Sequence, residues 1–135
     1  MSWSDGFIGI PWSRGDHGTK STHCWGLVRL AFAERFGITL ADYGPAQGLA
    51  LDASAIAAHR DVWPWRKVEH PQDGDVVVIR NGVVDDHVGV MVGRRLMLHV
   101  QRGKSAELVE IDMAHWKNRV SGFYRHAAVG DDEHV

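Results

Sequence analysis

Cys24 is the single cysteine of the 135-residue chain, in the string Ser21-Thr22-His23-Cys24-Trp25-Gly26-Leu27-Val28. With no second thiol an intramolecular disulfide is excluded, which leaves packing, metal binding or nucleophilic chemistry. The residue stands where an amphipathic helical pattern begins. A helix N-terminus gathers unpaired backbone N–H groups and positive dipole, which favour a thiolate and lower a thiol pKa. The position predicts an activated nucleophile. Free cysteine is only slightly ionised at neutral pH, so a neighbouring imidazole must take its proton. His87 and His99, both on predicted strands, are the candidates.

Strand parity decides whether the two histidines share a face. Along His87-Val88-Gly89-Val90-Met91-Val92, the side chains of His87, Gly89 and Met91 point one way and the three valines the other. On Leu96-Met97-Leu98-His99-Val100, Met97 and His99 share a face. An odd loop, Gly93-Arg94-Arg95, pairs Val92 with Leu96 and puts His87 and His99 diagonally on one face, whereas a two-residue loop would separate them. The loop glycine favours the odd hairpin, and Gly89 is expected to leave room for the N-terminus of the cysteine helix. In that arrangement His87 is the base toward Cys24 and later the acid toward a leaving amine. His99 would orient His87 through its other ring nitrogen, and the Cys24 backbone N–H with a second donor from the preceding loop would meet the oxyanion. The same three residues could also form a Cys-His-His zinc site with an open position. Their separations lack the short paired spacing of structural zinc sites, so no metal or other cofactor is expected.

The elements that must position these groups follow from period and punctuation. Residues 5–20, rich in Gly, Ser and charge and broken by Pro11, read as a loop. A helix is predicted from about Ser21 to Phe36, capped by Ser21 or Thr22, with Leu27, Val28, Ala31, Phe32 and Phe36 on its apolar face and Gly37 at its end. A second helix is predicted from about Ala53 to His59, with Asp52 or Ser54 near its start, and Pro64 prevents its continuation. Strands are expected at Asp75–Arg80, His87–Val92, Leu96–Val100, Leu108–Ile111 and Ser121–Arg125, with a helical turn at Met113–Trp116. Helices followed by strands indicate an α+β fold, N-terminal helices packed on a C-terminal antiparallel sheet.

Composition excludes several classes. Hydrophobic residues at 44% and charged residues at 24% describe an ordinary globular chain, here one domain over residues 1–130 with an acidic tail at 131–135. A net charge of −2 without a Lys/Arg block argues against a nucleic-acid partner. No apolar run is long enough to span a bilayer, and Met1-Ser2-Trp3-Ser4-Asp5 predicts no signal peptide, hence synthesis in the cytoplasm.

Taken in order, five segments resemble the NlpC-type papain-like cysteine peptidases, and more narrowly their small phage-tail and gene-transfer-agent branch. Gly9-Ile10-Pro11-Trp12 with Cys24-Trp25-Gly26-Leu27-Val28-Arg29 resembles the nucleophile segment, and Gly74-Asp75-Val76-Val77 the first core strand. His87 to Gly93 resembles the catalytic-histidine strand, Met97-Leu98-His99-Val100 the strand of the third polar residue, and Trp116 through Gly122-Phe123-Tyr124-Arg125-His126 the closing segment. The resemblance implies a papain-like fold with Cys24, His87 and His99 as catalytic residues. It implies hydrolysis of peptide bonds in bacterial peptidoglycan stem peptides, typically those involving D-glutamate and a diamino acid. It further implies phage-like tail proteins as partners and incorporation at a tail tip, where wall cleavage aids DNA delivery. Trp12, His23 and Trp25 flank the thiol as substrate or oxyanion residues. The family usually has an acidic residue where this chain has His23, and many relatives have a tyrosine where it has Trp12. His23 would either raise the thiolate content as a cation or face solvent. These departures leave an alternative: a catalytically weak tail-assembly or wall-binding module on the same fold.

Overall fold

The computed structural model describes residues 2–14, 20–43 and 53–131. A short 3₁₀ turn, Trp3–Phe7, precedes helix α1, Cys24–Phe36. Helix α2, Ala53–His59, is followed by strands β1 (Trp65–Val68), β2 (Val76–Asn81), β3 (Val84–Val92), β4 (Leu96–His99) and β5 (Glu107–Glu110). The single-turn α3 (Ala114–Lys117) and β6 (Val120–His126) close the chain. The strands form one sheet in the order β1-β6-β2-β3-β4-β5, with every neighbouring pair antiparallel. The α+β expectation holds.

Helix α1 starts three residues later than the sequence suggested. Neither Ser21 nor Thr22 caps it. The cap is His23, whose extended backbone turns Nδ1 to accept from the Gly26 N–H at 3.1 Å. The far end is as expected: Gly37 adopts φ 66°, a left-handed conformation that glycine takes without Cβ strain. There the Gly37 N–H bonds the Ala33 carbonyl and the Ile38 N–H the Phe32 carbonyl.

The sheet divides the core in two. Leu27, Val28, Ala31 and Phe32 of α1 pack with Val76, Val78, Val88, Val90 and Leu98 in the larger cluster. On the opposite face Val77, Ile79, Met91 and Met97 pack with Ile111 and Trp116. This alternation produces the continuous burial of β2 and the middle of β3, which are covered on both sides. Strand β1 was not foreseen, since Arg66 and Lys67 are exposed and only Trp65 is buried. It is an edge strand whose pattern carries little apolar signal.

A buried ion pair fixes β6 to the entry of β2. Arg125 donates from Nε and Nη2 to the Asp75 carboxylate at 2.8 Å each, and Asp75 also accepts the Gln72 N–H. Asp131, the first residue of the expected acidic tail, accepts from Arg125 and Arg66. The remaining tail residues, Asp52 and residues 15–19 of the expected loop lie outside the described residues.

Candidate active site

The hairpin loop is the odd one. Val92 pairs with Leu96, Met91 with Met97 and Val90 with Leu98, so His87 and His99 share a face. Their rings meet edge to face, with His87 Nε2 and His99 Nδ1 2.9 Å apart. His99 is fully buried, its ring edge-on to Trp116, and its Nε2 lies 3.0 Å from Glu107 Oε2. Glu107 stands directly opposite His99 in the β4–β5 register.

This histidine face is the side of the sheet away from α1, and Cys24 belongs to the other cluster. Gly89 therefore does not make room for the helix N-terminus. A Cβ there would lie 2.7 Å from the Met97 side chain and 2.9 Å from the Leu98 carbonyl oxygen. It is Met97 that needs the space. Cysteine and histidine instead share the lining of one cavity. Strand β3 carries an extra residue, Asp86, where its pairing shifts between Ile79–His87 and Arg80–Asp85. Such a bulge bends a strand and re-aims the adjoining side chain. Beside it the thiol sits within hydrogen-bonding influence of the Val88 backbone.

Cys24 and His87 line one open cavity of about 650 Å³. Trp12, His23, Asp86, Arg102, Lys104, His115 and Arg119 line it as well. Arg102 lies over the Trp12 indole at 5.6 Å. A smaller cavity of about 40 Å³, between Tyr43, Trp65 and Tyr124, touches neither Cys24 nor His87. Among the described residues, no group of three His, Cys, Asp or Glu side chains has the geometry to hold a metal ion.

Burial outweighs the helix terminus in setting ionisation. The Cys24 thiol is pushed up to about 11 by desolvation, although hydrogen bonding to the backbone of Val88, Trp25 and Cys24 itself pulls it down. The expected lowering of this thiol is thus reversed in the resting molecule. Desolvation, then the charges of His99 and Arg119, push His87 down to about 3. Desolvation, then Arg119 and His115, push His99 down to about 4. The resting pair is a neutral thiol beside a neutral imidazole.

The flanking residues divide. Trp12 lines the cavity. His23 lines it too but does not face solvent, being fully buried, and as an acceptor at Nδ1 it carries no proton there and no positive charge. It supplies the cap acceptor that a carboxylate would supply in its place. Trp25 is turned into the core, donating its indole N–H to the Ala41 carbonyl at 3.0 Å and stacking on Tyr43. It does not line the cavity. Two groups had no sequence signal. Glu107 fell one residue before the predicted strand, and Arg119 fell between predicted elements.

The family model for the NlpC/P60 family matches residues 9–125. Among curated proteins none matches the chain. Solved structures share the fold. One from Staphylococcus aureus, described as similar to lipoprotein, NLP/P60 family, has TM-score 0.65 and 17% identity over 92% of this chain and 39% of its own. An NlpC/P60 family protein from Bacillus cereus has TM-score 0.65 and 18% identity over 90% of this chain and 37% of its own. The NlpC/p60 domain of the peptidoglycan hydrolase SagA has TM-score 0.59 and 17% identity, covering 90% of this chain and 91% of that domain. The chain thus spans well under half the length of the first two. The ordered fold, the cysteine helix against the histidine strands and a match over most of the length lead to one assignment: the chain belongs to the NlpC/P60 family.

Proposed function

We propose that the protein is a cysteine peptidase that hydrolyses peptide bonds in peptidoglycan stem peptides. The observation that carries this reading is that His87, held by a hydrogen bond to the buried His99, lines the same open cavity as Cys24. Cys24 Sγ attacks the scissile carbonyl carbon while its proton passes to His87, so the neutral resting pair ionises only as the new C–S bond forms. The oxyanion develops at the α1 N-terminus. There the Gly26 and Leu27 N–H groups are already held by His23, leaving those of Cys24 and Trp25 without a helical carbonyl partner. The Trp12 indole N–H, on a ring that lines the same cavity, is the side-chain donor added to these. Collapse returns the proton from His87 to the leaving amine and leaves a thioester. Water then attacks the thioester carbon, giving a proton to His87; the C–S bond breaks, the carboxylic acid leaves and His87 returns the proton to the Cys24 sulfur.

The cavity favours an acidic substrate. Arg102, Lys104 and Arg119 face a single carboxylate, Asp86, in a chain of net charge −2. Stem peptides carrying D-glutamate and diamino-acid carboxylates match that field. SagA is itself described as a peptidoglycan hydrolase. The ordered resemblance of the five segments adds deployment with phage-like tail proteins at a tail tip. A second reading, a weakly active wall-binding module, is favoured by the buried thiol held near 11. Digestion of purified muropeptides by wild-type and Cys24→Ala protein, with product masses, separates the two. Cleavage between D-glutamate and the diamino acid by wild type alone is expected. Intact muropeptides with both proteins would leave only the binding module.

A further inference from the structure

We propose that Glu107 is a positioning residue: its carboxylate, which can only accept, holds His99 as the Nε2–H tautomer and through it keeps His87 Nδ1 free of a proton. The inference rests on the peptidase reading only for its catalytic consequence. Neutral imidazole has one N–H and one lone pair. With Glu107 Oε2 at 3.0 Å, His99 Nε2 must be the donor, so His99 Nδ1 presents its lone pair. His87 Nε2, 2.9 Å from that lone pair, must then carry its own proton. The one remaining nitrogen, His87 Nδ1, is left as the acceptor that a thiol proton requires. Reversing the first donor reverses the whole relay: His99 Nδ1–H would donate to His87 Nε2, His87 would carry its proton on Nδ1, and the base would be blocked.

The geometry suits this task. Glu107 is the direct cross-strand partner of His99, so its carboxylate is delivered by register rather than by a mobile loop. Trp116 closes the ring face of His99. Arg119 and His115 oppose a second proton on His99, and a doubly protonated His99 would block His87 in the same way.

Nitrogen-15 NMR of histidine-labelled full-length protein at neutral pH reads both tautomers directly. Wild type should show His87 and His99 each protonated at Nε2. Glu107→Gln, whose amide oxygen still accepts, should keep both. Glu107→Leu should bring Nδ1–H signal onto His87 and lower kcat on muropeptides about tenfold with KM unchanged. Wild type with His87 protonated at Nδ1, or Glu107→Leu with wild-type tautomers, would overturn the proposal. The first of these needs no variant to fold. Wild type with the expected tautomers but no muropeptide cleavage would support the role of Glu107 while refuting the peptidase reading.

Discussion

At Cys24 two consequences of one position oppose each other. The helix terminus offers N–H groups to a thiolate, but the same packing removes water from the sulfur, and desolvation is the larger effect. Alkylation of the resting protein with iodoacetamide should therefore be slow at neutral pH, its rate climbing through the alkaline range toward about 11. A rate plateau already reached below neutrality would instead reveal a resting thiolate–imidazolium pair. The neighbouring position is structural in a way the residue type conceals. His23 accepts the Gly26 N–H, so His23→Ala should cost about 1–2 kcal/mol in urea denaturation, whereas His23→Asn should retain most of the cap. Sequence could single out Cys24, His87 and His99 as candidates, because type, spacing and parity all bear on them. It could not show that His23 is a cap or that Trp25 faces the core, since both depend on what α1 packs against.

The hairpin of β3 and β4 is where sequence reasoning reached furthest. Loop parity alone fixed the pairing of Val92 with Leu96, and with it the shared face of the two histidines. The side that receives the helix is not legible in the sequence, because both sides of the sheet are apolar and periodicity does not distinguish them. Gly89 records the true packing. Gly89→Ala should destabilise the protein by about 1–3 kcal/mol in urea denaturation, because the Leu98 carbonyl oxygen is backbone and cannot swing aside as the flexible Met97 side chain can. A neutral result would mean that β3 and β4 are less closely apposed than described. The pairing of Glu107 with His99 was invisible for a different reason. Residues 100–106 join β4 to β5, and although they hold a turn at Gln101–Lys104 with Gly103 at φ 77°, the connection is longer than a tight hairpin loop whose parity would set the register.

Across the whole molecule the buried histidines link folding to proton concentration. Both have folded pKa values below the ordinary 6.5, so the unfolded chain binds protons that the folded chain refuses. Their contribution to stability is complete above 6.5 and is lost as pH falls from there through about 4 and then about 3. Urea midpoints measured across that range should fall steadily with acid, and more shallowly in a His99→Gln variant. Equal pH dependence in the two proteins would remove the buried pair as the cause. The α+β class and the order of the described elements were legible from period and punctuation. The edge strand β1 was not, because a strand with one buried residue has little apolar pattern to find. What unites these scales is a thiol and an imidazole delivered from opposite faces of one sheet to a common cavity, the pair proposed above as nucleophile and base. A double-mutant cycle on muropeptide cleavage tests that union most directly. Cys24→Ala and His87→Ala should each reduce kcat/KM by about 10³-fold or more, and the double variant should be no worse than either, since the two act as a unit. Losses that simply multiply, or turnover that survives Cys24→Ala, would contradict it.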